Sequence, residues 1–167
     1  MTPSPRPLLI RGGRVIDPAT GLDGPRDLLL RDGRIVAVEN PGQIKAPDAE
    51  VFNAKGLVVA PGLVDIHVHL REPGQSYKET IATGTAAASA GGFSSVCAMP
   101  NTVPVNDSPE IVRWMQAPER GASARVFPIA AATRGSLGES LTDYPALKAA
   151  GAIAVTDDGK PILDEDI

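Results

Sequence analysis

The segment Val64-Asp65-Ile66-His67-Val68-His69-Leu70-Arg71 can be satisfied by few folds. Apolar and polar residues alternate along it, which is the period of a β-strand. As a strand it sends Asp65, His67, His69 and Arg71 to one face and Val64, Ile66, Val68 and Leu70 to the other. The apolar face suits packing. The polar face cannot be buried without partners, because an unpaired polar group in a dry interior is costly. Both of the protein's 2 histidines lie on it. Neutral ring nitrogens set side by side in this way can hold a metal ion. Glu72-Pro73-Gly74 then ends the run. The polar face therefore emerges at the C-terminal end of a strand, where α/β folds place their chemistry.

From Pro61 onward the pattern is strand, loop and helix, repeated. Leu63–Leu70 is the first strand. Ser76-Tyr77-Lys78-Glu79 reads as a capping box opening an Ala-rich helix, which Gly91-Gly92 ends. Phe93–Ala98 is the second strand. Asp107-Ser108-Pro109-Glu110 starts another helix, with proline in the tolerated first turn, and it runs to about Ala117. Ala124–Ala131 is the third strand. Thr142 or Asp143 caps a short helix to Ala150, stopped by Gly151, and Ala152–Thr156 is the fourth strand. Alternating β and α elements imply a parallel sheet with right-handed crossovers. A closed (β/α)8 barrel takes about 250 residues. Residues 61–167 hold only four such units, the last without its helix. That predicts half a barrel with two unpaired edges, and hence a piece of a longer protein. A self-sufficient open α/β sheet is the alternative.

Residues 1–60 show no helical period. Leu8-Leu9-Ile10 and Arg14-Val15-Ile16 flank Gly12-Gly13. Asp27–Leu30 and Arg34–Val38 flank Asp32-Gly33, a strong hairpin signal. Gln43–Glu50 reads as a polar loop. Val51-Phe52 and Leu57–Ala60, around Asn53-Ala54-Lys55-Gly56, read as another hairpin. The expectation is a small β-domain.

Hydrophobic residues make up 43% of the 167 and charged ones 22%, an ordinary globular balance. The net charge of −4 with no basic stripe argues against nucleic acid as a partner. The single cysteine, Cys97, excludes an internal disulfide and suits a reducing compartment. Lying in an apolar run, it reads as buried and inert. No apolar stretch approaches the roughly 18 residues of a membrane span, and Met1–Pro7 has no signal-peptide core. A cytoplasmic protein is expected.

Thr156-Asp157-Asp158-Gly159 closes the fourth strand. Ala152, Ala154, Thr156 and Asp158 share a face of small residues suited to a crowded interior, and Ile153, Val155 and Asp157 share the other. Alternation therefore selects Asp158 as the inward carboxylate, with Asp157 as the alternative. Asp65 is either a carboxylate that orients a histidine or a strand-end ion pair. Arg71 at the mouth has the fork that binds carboxylates bidentately. Glu72 and Glu79 are its competing partners. Asn101, after the second strand, can donate and accept.

Ala60-Pro61-Gly62-Leu63-Val64-Asp65-Ile66-His67-Val68-His69 resembles the first barrel strand of the amidohydrolase superfamily. With Leu70-Arg71-Glu72-Pro73-Gly74, Ala98-Met99-Pro100-Asn101-Thr102 and Ala154-Val155-Thr156-Asp157-Asp158-Gly159, the chain from about Leu8 onward resembles the bacterial type I dihydroorotases. The resemblance implies an α/β fold, the first half of a metal-dependent (β/α)8 amidohydrolase barrel preceded by a small β-domain. It implies His67, His69 and Asp158 as ligands of Zn2+, up to two ions per intact site, where related enzymes use a carboxylated lysine. Lys148 and Lys160 do not occupy that position. It implies Arg71 and Asn101 as the grip on the carboxylate of dihydroorotate or N-carbamoyl-L-aspartate. The family's further histidine ligands and its acid/base aspartate come from later strands, so no catalytic group beyond the metal ligands is expected here. This chain alone is expected to be inactive. A complementary C-terminal half, aspartate transcarbamoylase or a second copy are the protein partners implied. Two other readings stand beside this one. Allantoinases and dihydropyrimidinases are similar but generally lack the arginine. Non-catalytic relatives that support aspartate transcarbamoylase lack the metal.

Overall fold

The computed structural model describes residues 6–167, so Met1–Pro5 lie outside the described residues. The chain divides into two compact units, one ending at Pro61 and the other spanning Gly62–Ile167.

The first unit is a five-stranded sheet built from β1 (Leu8–Asp17), β2 (Leu22–Arg31), β3 (Arg34–Glu39), β4 (Glu50–Asn53) and β5 (Val58–Val59). β1 is one long strand with a slip between Ile10 and Gly13, where two short strands were expected. Asp32-Gly33 makes the expected turn between β2 and β3, with φ of 49° and 72° at its two residues. The second expected hairpin does not form. β4 and β5 both run parallel to β1, pairing with Leu8–Arg11 and Arg14–Val15 in turn. The turn at 54–57 sits opposite the slip in β1 and keeps both in step. A Cβ on Gly13 would stand 2.7 Å from Val59 Cγ2 of β5 and 3.1 Å from Ala54 Cβ of this turn, so glycine lets both approach closely. Nor is the 43–50 loop wholly polar: Ile44 is buried with Leu9 and Leu29. Asp27 is buried too, its carboxylate accepting the Gly12 and Gly42 N–H groups at 2.8 Å each.

The second unit is an α/β layer. Its parallel sheet has the order β6 (Leu63–Val68), β7 (Phe93–Ala98), β8 (Arg125–Ala130), β9 (Ala154–Val155). The helices between them are α1 (Ile81–Ala90), α2 (Pro109–Gln116) and α3 (Tyr144–Ala150). Val96 and Ala98 of β7 pack with Ile81 of α1 and Met115 of α2. Ala130 of β8 packs with Val112 of α2 and Leu147 of α3. The alternate residues Cys97 and Met99 pack with Ile129 and Phe127 instead. Period-2 alternation thus gives the sheet two apolar layers. α2 begins as expected, with Ser108 at the N-cap and Pro109 in the first turn, and α3 with an Asp143 side-chain cap. α1 begins later than the Ser76–Glu79 signal. Thr80 is its cap and the box partner is Thr83, while Ser76 and Glu72 are hydrogen-bonded to each other in the preceding turn.

Candidate metal centre

The C-terminal ends of β6, β7 and β9 meet at the candidate site. β6 is not a regular strand there. Its register against β7 slips by one residue between Asp65 and Val68. A slip takes an N–H out of the ladder, and the Asp65 carboxylate accepts the His67 N–H at 3.0 Å. Asp65 thus serves the backbone, and among the described residues it forms no ion pair. Both histidine rings still reach the same side, with centroids 5.4 Å apart and planes at 64°.

Asp158 arrives from the turn after β9. The two acids of that turn part company. Asp157 is buried and accepts hydrogen bonds from the backbone N–H and hydroxyl of Thr133. Asp158 faces the histidines, with Oδ1 3.5 Å from His67 Nε2 and Oδ2 3.4 Å from His69 Nε2. One ligand atom from each of the three residues lies within 4.8 Å of the others.

These separations decide what the cluster can hold. At 3.4–3.5 Å the nitrogen–oxygen pairs are longer than the 2.7–3.2 Å of a hydrogen bond. Donor atoms on a tetrahedral ion with bonds of about 2.1 Å stand about 3.4 Å apart. Imidazole nitrogens and a carboxylate are also the donor set that suits zinc. The two nitrogen–oxygen separations are compatible with a shared divalent ion. Electrostatics agrees. Burial and the nearby Arg71 charge hold the His69 imidazolium below its usual pKa, against the opposing pull of Asp158. The neutral ring, which is the ligating form, is favoured.

Arg71 does not continue the strand. β6 ends at Val68, and Arg71 has a left-handed φ of 61°. Its expected competitors are engaged elsewhere. Glu72 accepts the Ile81 N–H at the start of α1 at 2.7 Å, and Glu79 is bonded to Thr80 and Thr83. Among the described residues the Arg71 guanidinium has no ion-pair partner. Asn101 lies in the loop after β7. Its Nδ2 donates to the Asp158 carbonyl at 2.9 Å, and its buried Oδ1 has no hydrogen-bond partner. Gln75 Nε2 donates to the Asn101 carbonyl at 3.1 Å, tying the loops of Arg71 and Asn101 together. Thr133 and Gln75 were not anticipated. Nothing in their local sequence distinguishes a threonine or glutamine in a loop as a partner of a site residue.

The apolar face of β6 is less buried than alternation implies. Leu70 is inside, but Val64 and Ile66 are 56% and 73% exposed. Val155 of β9 and Ile153 just before it are exposed as well.

Residues 56–165 match the family described as Dihydro-orotase-like. The chain is 52% identical over 159 residues to a dihydroorotase of Solibacter usitatus, covering 95% of this chain and 36% of that protein. It is 50% identical over 162 residues to a dihydroorotase of Geotalea daltonii, covering 96% and 38%. The chain thus spans little more than a third of the length of these relatives. Among solved structures, the fold is similar to that of an L-hydantoinase from Arthrobacter aurescens, with a TM-score of 0.73 at 18% identity over 90% of this chain and 32% of that one. It is also similar to a D-hydantoinase from a Bacillus species, with a TM-score of 0.60 at 28% identity over 75% and 27%.

Proposed function

The chain belongs to the dihydro-orotase-like family, and from that premise we propose that it supplies the metal-binding end of a dihydroorotase. Such an enzyme interconverts N-carbamoyl-L-aspartate and dihydroorotate in pyrimidine biosynthesis. The observation that carries this reading is the convergence of His67, His69 and Asp158 at separations suited to a divalent ion. In this reading the ion is Zn2+, up to two per intact site. The compartment is the cytoplasm, where a lone buried thiol such as Cys97 stays reduced. No helix among the described residues is long and apolar enough to cross a membrane.

Zinc at such a centre supplies Lewis acidity toward a carbonyl and acidifies water near neutral pH. The chain's own residues do the positioning. His67 and His69 present their Nε2 atoms, and Asp158 presents an oxygen to each. Arg71 is free to take the substrate carboxylate, since Glu72 and Glu79 are held by the backbone and threonines near α1. Asn101 has a second N–H on Nδ2, beyond the one given to the Asp158 carbonyl, with which to hold the same carboxylate. Two grips on that carboxylate fix the ring relative to the metal. The Arg71 charge is also what separates this substrate from hydantoins and allantoin, which lack the carboxylate.

The test is metal analysis and a substrate panel on the full-length protein. The expected result is bound zinc and hydrolysis of dihydroorotate in preference to hydantoin, dihydrouracil and allantoin. His67→Ala or His69→Ala should abolish both zinc retention and turnover. Zinc-free protein after purification with added zinc would point to a non-catalytic partner of aspartate transcarbamoylase. Preference for an uncharged ring would point to another cyclic amidohydrolase.

A further inference from the structure

Asp157 takes no part in the site as described so far, yet its placement calls for a reason. It is 6% exposed, and among the described residues its carboxylate meets only neutral donors. Oδ1 accepts the Thr133 N–H at 3.0 Å, and Oδ2 accepts the Thr133 hydroxyl. Thr133 is fully buried, and its hydroxyl oxygen in turn accepts the Gly138 N–H at 2.8 Å. Burying a carboxylate without a cation is a costly way to fasten a loop.

The strand explains the need. β9 pairs with β8 only at Ala154 and Val155, and the last ladder bond is from Thr156 N–H to the Ala130 carbonyl at 2.9 Å. Beyond it no sheet pairing holds the chain, while Asp158 must meet two imidazoles at once. The backbone around Asp158 is fixed by side chains instead. Asp157, the residue before Asp158, is pinned to Thr133 in the loop after β8, and Asn101 Nδ2 holds the Asp158 carbonyl from the loop after β7.

We propose that Asp157 and Thr133 are positioning residues for the metal centre, clamping the β9 turn so that the Asp158 carboxylate stands between His67 and His69. Asn101 completes the clamp from the loop after β7. The proposal rests on the reading of Asp158 as a metal ligand. The adjacent acids thus divide the work: Asp158 faces the ion and Asp157 holds the turn that carries it. Outer partners of metal ligands typically contribute about 10–100-fold to metal affinity.

The experiment measures zinc affinity of the metal-free full-length protein by competition with a chromophoric chelator, alongside its melting temperature without metal. Thr133→Val deletes only the hydroxyl and keeps the volume. It should weaken zinc binding about tenfold, and Thr133→Ser should restore it. Asp157→Ala should weaken zinc binding about 10–100-fold, and Asp158→Asn should weaken it further than either. Wild-type zinc affinity in both Thr133→Val and Asp157→Ala, with only the melting temperature lowered, would reduce the clamp to a structural fastening and overturn the proposal. If Asp157→Ala does not fold, the Thr133→Val and Thr133→Ser pair decides alone. Wild-type affinity in Asp158→Asn would instead remove the metal reading itself, and this proposal with it.

Discussion

Two side chains at the site invite direct tests of charge. Arg71 lacks an ion-pair partner among the described residues, so its full charge is available to a ligand. A charged hydrogen bond contributes roughly 1.5–3 kcal/mol. Arg71→Met should therefore raise KM for dihydroorotate about tenfold to a hundredfold while leaving zinc content unchanged, as steady-state kinetics with metal analysis will check. His69 carries the second test. Its folded-state pKa lies below that of an exposed imidazole, so folding favours the neutral ring. Stability from this source is complete above about pH 6.5 and is lost as pH falls through that value toward the lower folded one. A histidine-resolved NMR titration of the metal-free protein should place the His69 midpoint below the usual imidazole value. Midpoints at or above it would contradict the burial and the Arg71 proximity. Alternation along Ala152–Asp158 chose Asp158 over Asp157, and Asp158 does stand beside the histidines, but from the turn beyond the two-residue β9 rather than from a strand. The task of Asp65 was not legible. It follows from a register slip that exists only once β6 lies against β7.

At the scale of elements, the sequence announced what local chemistry controls and missed what pairing controls. The Asp32-Gly33 turn and the starts of α2 and α3 rest on caps and backbone preferences a few residues wide. The partners of β4 and β5 rest on β1, some forty residues away, and a hairpin-like spacing misled. The start of α1 was missed because Ser76 and Glu72, the latter outside the apparent motif, bond to each other instead. The loops that carry Arg71 and Asn101 show the same dependence on tertiary contact. Gly74 has a φ of 87°, and a Cβ on it would lie 1.9 Å from the Val103 carbonyl oxygen. No rotamer relieves a clash with backbone, and a left-handed non-glycine residue costs roughly 1–2 kcal/mol besides. The Val103 N–H also donates to the Pro73 carbonyl at 3.0 Å, so the two loops are joined there. Gly74→Ala should separate them. The expected result is a melting temperature lower by several degrees and a KM raised more than zinc affinity is weakened. Unchanged kinetics would show that the loops close without this contact.

The second unit taken whole is a four-stranded parallel sheet whose edge strands are β6 and β9. Fully parallel sheets are usually covered on both faces. Here Ile66 is 73% exposed and Ile153 53%. An unpaired edge beside exposed apolar side chains invites pairing with another chain. Alternation of strands and helices made the sheet itself legible. Opening a cyclic amide requires a proton for the departing nitrogen. The chain's 2 histidines are both at the candidate metal centre. In the proposed reading they and Asp158 are engaged by the ion, and none is left to carry that proton. Residues 1–167 expressed alone should therefore self-associate in light scattering and fail to hydrolyse dihydroorotate with zinc present. Zinc should still bind, and binding should be lost in His69→Ala, because the three donors come from this chain. A monodisperse monomer with turnover abolished by His69→Ala would overturn both halves of the argument. It would mean that the open sheet is stable by itself and that a proton route exists among residues to which the geometry assigns none.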